Sequence, residues 1–185
     1  MGSGMSSEMG AALRRAAALI REVPDYPNPG VLFKDITPVL ADCEAFQAVV
    51  AAMAEPVHGP GGWADVVIGV EARGFLLGAA VAVAAGVGVV PVRKAGKLPV
   101  VAAARDFELE YGTATLELPA GVLVPGARVF VVDDVLATGG TLAASCELVE
   151  QVGATVCGIG VLIELTALAG RERLAGRDPG ALFTF

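Results

Sequence analysis

Histidine is almost missing from this chain, with His58 the single one in 185 residues. It falls in the Gly/Pro-rich stretch 56–62 (PVHGPGG), a turn, and is expected to be solvated there. No Ser/His/Asp triad and no histidine-based metal site can be built from it. Cysteine is scarce and odd in number. Cys43, Cys146 and Cys157 show neither a CxxC pair nor metal-ligand spacing. Without a secretory signal they read as reduced, buried thiols of a cytoplasmic protein. Aromatics are only 5 % of residues, so the core must be built from Ala, Val and Leu. A basic surplus is also lacking: 13 Lys and Arg stand against 20 Asp and Glu, a net charge of -7. That disfavours a general nucleic-acid binder, although a local basic site for a small anion remains open.

No long apolar run survives scrutiny as a membrane span. Residues 75–92 are uncharged, but Gly78, Gly86 and Gly88 punctuate them and much of the rest is Ala. They divide better into a buried helix over 74–85, capped by Gly86, and a buried strand over 87–92. Residues 1–9 read as a disordered start or an expression remnant outside a single domain over 10–185.

What is present alternates. A helix is expected over 10–22, with Leu13, Ala17 and Ile20 on its apolar face. Residues 23–31, with three prolines, are irregular, and 33–38 form a short ordered segment. A second helix follows over 43–53 behind Asp42 as N-cap. Strands are expected at 65–70, 113–118, 128–132 and 156–163, a loop or extended arm at 93–109, and a helix from Gly140 to Val152 with Gly153 as its cap. β-branched runs separated by helices imply an α/β fold, a parallel sheet covered on both faces.

The segment Val129-Phe-Val-Val-Asp-Asp-Val-Leu-Ala-Thr-Gly-Gly-Thr141 carries the chemistry. An apolar strand ends in two acids, a loop of small residues follows, and a helix begins. Backbone amides of Ala137, Thr138, Gly139, Gly140 and Thr141 can converge on one phosphate at a helix N-terminus, with the two Thr hydroxyls as further donors. The glycines admit close approach. A sugar attached to that phosphate would lie over Asp133 and Asp134, whose carboxylates accept from ribose hydroxyls. Neither GxxxxGK[ST] nor a strand-linked GxGxxG is present.

This segment resembles the phosphoribosyl-pyrophosphate (PRPP) motif of the type I phosphoribosyltransferases. Asp25-Tyr-Pro-Asn-Pro-Gly-Val-Leu-Phe-Lys-Asp-Ile-Thr-Pro38, Glu71-Ala-Arg-Gly-Phe75, Val92-Arg-Lys-Ala-Gly-Lys-Leu-Pro99, Leu109-Glu-Tyr-Gly112 and Ile163-Glu-Leu-Thr166 are similar to the adenine branch. The likeness spans residues 10–175. It implies a PRPP-binding core over 63–165 and an N-terminal hood over 23–40. It also implies transfer of the 5-phosphoribosyl group to adenine, giving AMP and pyrophosphate, with Mg²⁺ bound through PRPP and water, and a homodimer.

The resemblance further implies that Arg73, Lys94 and Lys97 grip pyrophosphate, Lys97 from a neighbouring subunit in one version. A cis non-proline peptide is implied at Glu71–Ala72. Residues 99–112 correspond to a flexible catalytic loop whose Glu110 handles the purine imidazole edge, though Val101-Ala-Ala-Ala104 replaces the commoner polar pattern. Phe33 would stack on the base, the Lys34 backbone would read its amino edge, and Leu32 would line the other side. Two alternatives stay open: a transferase for another purine, disfavoured by the hood sequence, and a PRPP-sensing regulator without turnover, disfavoured by the acidic single domain and the Glu110 loop.

Overall fold

The computed structural model describes residues 2–58, 63–108 and 113–185. The chain packs as two compact units, one ending at Ala52 and one running from Met53 to Phe185.

The N-terminal unit opens with helix α1 (Gly2–Leu19). The helix starts well before the expected residue 10. Extending a formed helix costs far less than nucleating one, so the Ala-rich stretch carries its leading residues with it. Its buried line is Ala12, Ala16 and Ile20, with Leu13 and Ala17 half-buried. Strands β1 (Arg21–Pro24) and β2 (Leu32–Asp35) pair antiparallel, Val23 opposite Phe33. Residues 21–22 of the expected helix and the first prolyl residue, Pro24, are therefore strand, with Ile20 as the link. Between them the Asp25 carboxylate accepts from the Gly30 amide at 2.7 Å, closing the turn. Helices α2 (Thr37–Ala41) and α3 (Cys43–Ala54) follow. Asp42 caps α3 as expected, accepting from the Ala45 amide at 2.9 Å. Cys43 is exposed on the first turn of α3, which corrects its reading as a buried thiol.

The larger unit is a seven-stranded sheet flanked by helices. Its strands are β3 (Val66–Val70), β4 (Gly88–Lys94), β5 (Val101–Glu108), β6 (Thr113–Pro119), β7 (Arg128–Leu136), β8 (Thr155–Glu164) and β9 (Gly180–Thr184). The spatial order is β5-β6-β4-β3-β7-β8-β9. β4, β3, β7, β8 and β9 run parallel, while β6 joins β4 antiparallel and pairs with β5. The parallel sheet expected from the sequence is thus present with an antiparallel edge.

Helix α4 (Arg73–Ala85) connects β3 to β4, and α5 (Gly140–Gln151) connects β7 to β8. The uncharged run 75–92 divides between α4 and β4 as expected, with Gly86 in the left-handed conformation at the helix end. Among the described residues no helix is long and apolar enough to cross a membrane. α4 lies backbone against backbone on β3: a Cβ on Gly78 would sit 2.8 Å from Gly69 Cα. The core is aliphatic, with Ile68, Leu116, Leu118, Leu142 and Leu148 essentially inaccessible.

The structure narrows one sequence expectation and overturns another, for identifiable reasons. Residues 101–108, within the expected loop or extended arm, form strand β5. Ala102, Ala103 and Ala104 supply no hydrophobic alternation, so the strand exists only because β6 offers it a partner. His58 is half-buried and not solvated. Its Nε2 donates to the Ala85 carbonyl at 3.0 Å, satisfying a carbonyl at the end of α4, and its ring packs on Trp63 at 4.0 Å.

Candidate active site

The carboxyl ends of β3 and β7 lie side by side, and the loops that leave them enclose a cavity of about 280 Å³. Arg73, Lys94, Asp133, Asp134, Ala137, Thr138, Gly139, Gly140 and Thr141 all line it. Nine residues singled out in the sequence are therefore brought to one place by the sheet topology.

On one side β7 gives way to the loop 137–139 and the start of α5. Gly139 takes a left-handed φ of 81° as the N-cap residue, and no side chain caps the helix. The first amides of this 12-residue helix are open to an anion, at the end where the helix dipole favours negative charge. The strand continues two residues beyond the acids, to Leu136. Asp133 and Asp134 therefore lie within β7, a correction to the reading that they end it. They are only 6 % and 5 % exposed.

Successive residues of a strand point to opposite faces, and the two acids differ accordingly. Asp134 Oδ2 lies 2.8 Å from Arg73 Nε. Asp133 Oδ1 accepts from the Asp134 amide at 2.9 Å and faces α4 at Gly74, where any Cβ would come within 2.7 Å of it. Burial, and then the charge of Asp134, raises the Asp133 carboxyl well above the usual range. Burial also raises Asp134, with Arg73 pulling in the opposite direction.

On the other side, the turn from β3 into α4 contains a cis peptide at Glu71–Ala72, as the resemblance implied. Glu71 is an additional site residue. Its side chain is 8 % exposed, it ion-pairs with Lys97, it lies 3.4 Å from Arg93 Nε and it accepts from the Lys94 amide at 3.0 Å. Burial raises the Glu71 carboxyl, but the Lys97 and Lys94 hydrogen bonds bring it below its ordinary value. Lys97 is thus tied to Glu71 and does not line the cavity, whereas Lys94 does. The Arg93 guanidinium also stands 5.8 Å over the Phe75 ring.

Phe107 of β5 also lines the cavity. Reading 93–109 as a loop or extended arm gave this residue no orientation; as part of β5 it takes a fixed side. Glu110 lies outside the described residues. Leu32, Phe33 and Lys34 occupy β2 of the N-terminal unit, where Phe33 meets Tyr26 edge to face at 5.1 Å and Lys34 ion-pairs with Glu22.

Residues 39–178 match the phosphoribosyl transferase domain. The chain is 60 % identical to an adenine phosphoribosyltransferase of Saccharopolyspora erythraea, over 96 % of this chain and 94 % of that one. Among solved structures, the adenine phosphoribosyltransferase of Thermoanaerobacter pseudethanolicus superposes with a TM-score of 0.89 at 48 % identity, over 94 % of this chain and 99 % of that one. The Saccharomyces cerevisiae enzyme, solved with an imino-altritol bisphosphate and adenine, matches with a TM-score of 0.86 at 36 % identity, over 93 % and 97 %. With identity maintained across nearly the whole length of these relatives and the same fold, the chain belongs to the adenine phosphoribosyltransferase family.

Proposed function

We infer that this chain is a purine salvage enzyme that transfers the 5-phosphoribosyl group of PRPP to adenine, giving AMP and pyrophosphate. The observation that carries the reading is the single cavity in which an open helix N-terminus, a buried acid pair and Arg73 with Lys94 meet. These suit, in order, the 5′-phosphate, the ribose hydroxyls and the pyrophosphate of one PRPP molecule. The yeast relative bound to adenine supports the choice of base.

The amides of Ala137 to Thr141 and the hydroxyls of Thr138 and Thr141 hold the 5′-phosphate. Asp133 and Asp134 accept from the ribose hydroxyls, and the negative charge carried by the pair favours the positive charge that develops at the anomeric carbon. Arg73 and Lys94 stabilise the charge on the leaving pyrophosphate. Lys97 joins them once it exchanges Glu71 for a pyrophosphate oxygen. Glu110 accepts the purine imidazole proton. Leu32, Phe33 and Lys34 recognise the base through stacking and the Lys34 main chain. Positioning and charge stabilisation supply the rate without a covalent intermediate.

The acidic and hydroxyl side chains of the cavity wall offer hard oxygen atoms, from Glu71, Asp133, Asp134, Thr138 and Thr141. Among the described residues no group of three or more His, Cys, Asp or Glu is placed to cage an ion. The hard oxygens of this wall suit Mg²⁺, which would be carried on PRPP oxygens and water, with Asp133 and Asp134 among the acids facing it. When bound, Mg²⁺ neutralises charge on the pyrophosphate. The free cysteines support a reducing, cytoplasmic setting. Exposed Leu76 and Val83 on α4 support a homodimer.

Adenine, hypoxanthine, guanine, xanthine and orotate, offered separately with PRPP and Mg²⁺, test the reading. AMP formed from adenine alone, and lost with EDTA, is the expected result. Turnover of another base alone overturns the base assignment. PRPP binding without any turnover points instead to a regulator.

A further inference from the structure

The loop 137–139 has two sides. One lines the cavity. The other rests on the short 3-10 turn Gly170–Leu174. A Cβ on Gly139 would run into the Gly170 carbonyl oxygen and reach Arg173 Cβ at 3.3 Å. A Cβ on Gly170 would run into the Ala137 carbonyl oxygen and reach Leu136 Cδ1 at 2.7 Å. The two backbones therefore touch with no side chain between them, and a shift of the turn passes directly into the loop.

The turn is itself held firmly. Glu164, the last residue of β8, is 7 % exposed and takes the Arg171 guanidinium in a two-pronged grip, Nε to Oε1 and Nη2 to Oε2, both at 2.7 Å. Asp178 accepts from Nη1 at 2.5 Å. Leu174 is fully buried at the far end of the turn. The Leu165 amide donates to the Leu136 carbonyl at 2.9 Å, so the same chain segment is tied to the root of the loop. The segment Ile163-Glu-Leu-Thr166 contributes nothing to the cavity lining, and the reaction as described gives it no task.

We propose that Glu164 and Arg171 are positioning residues for the 5′-phosphate: their ion pair seats the turn Gly170–Leu174 against loop 137–139 and so sets the direction in which the loop amides point. The proposal rests on reading 137–141 as the 5′-phosphate cradle. Amide donors on a flexible loop lose much of their value when displaced by about 1 Å, on the order of a hundredfold in rate for a misplaced site. A rigid support behind the loop is what maintains their alignment.

The test measures ribose 5-phosphate binding by calorimetry on the full chain. It is paired with KM for PRPP and, at saturating PRPP, KM for adenine. Arg171→Ala and Gly170→Ala are expected to weaken ribose 5-phosphate and raise the PRPP KM about tenfold or more, with the adenine KM within about twofold. Arg171→Lys keeps the charge but loses the planar grip, and should fall between Arg171→Ala and the parent. Being the mildest change, it keeps the question answerable if the alanine variants fold poorly. A purely structural pair would lower Tm and leave the ribose 5-phosphate affinity of the folded protein unchanged. Thr141→Val reports on the cradle itself. If it weakens ribose 5-phosphate while the Arg171 and Gly170 variants do not, the positioning role is overturned and the cradle stands. If none of them changes the affinity, both readings fall.

Discussion

Arg73 Nε stands 2.8 Å from Asp134 Oδ2, so the first residue of α4 is ion-paired with an acid inside β7. On the proposed function, this pair connects the pyrophosphate side of the cavity to its ribose side. Each partner depends on the other: Asp134 is nearly buried, and a buried carboxylate left without a cation is costly. Arg73→Ala should therefore lose more than a leaving-group contact. We expect kcat/KM to fall on the order of a hundredfold or more, the scale for removing a preorganised charge at a reacting centre. Asp134→Asn should depress turnover while circular dichroism stays unchanged. Wild-type turnover in Asp134→Asn would remove this acid from the mechanism. The same assay applied to Glu110→Gln tests the proton-handling role.

Gly74 is the second residue of α4, and a Cβ there would lie 2.7 Å from Asp133 Oδ1 and 3.0 Å from the Val132 carbonyl. Helix and strand would have to separate to admit it. Gly74→Ala should destabilise the protein by about 1–3 kcal/mol, the usual range for overpacking. It should also lower activity through displacement of Asp133. Urea unfolding monitored beside kinetics checks both. A variant of unchanged stability would show that α4 can move without cost.

Glu164 offers a pH signature. The hydrogen bond and charge of Arg171 hold its carboxyl below the ordinary glutamate value, against the effect of burial. A depressed folded pKa contributes stability above the unfolded value, near 4.3 (approximately), and that contribution is lost as pH falls through the folded value. Glu164→Gln should therefore be less stable than the parent near neutrality. The two should converge as acid titrates the parent's carboxylate. Tm measured from pH 7 downward would show it; a gap that stays constant with pH would refute the assignment.

Thiol reactivity should separate the cysteines. Burial pushes the Cys146 thiol up to about 12, while Cys43 is exposed at the start of α3. In native protein an aromatic disulfide reagent should modify Cys43 first and reach Cys146 only on unfolding. Prompt reaction of Cys146 would mean that α5 opens readily.

Much of the site was legible because its parts are local. Four apolar residues, two acids and a small-residue loop lie in thirteen consecutive positions, so the strand, the loop and the helix start were legible, although the strand runs two residues past the acids. Gly86, Gly153 and Asp42 were legible for the same reason, since a cap is a relation between neighbours in sequence. Phe107 and Glu71 were not. Phe107 gains a fixed side only when β6 pairs with β5, and Glu71 becomes an anchor only when the next strand brings Arg93, Lys94 and Lys97 to it.

The sequence by itself determined the alternation of strands and helices, the small-residue loop before α5 and the identity of the charged groups around it. Each of these depends on residues within a few positions of one another. Tertiary structure alone decided that Arg73 pairs with Asp134 across some sixty residues of chain, that Lys97 is held by Glu71, and that Gly170 supports Gly139. Those are contacts between segments whose proximity is set by strand order in the sheet. Strand order emerges from packing the whole apolar core, which no local pattern encodes.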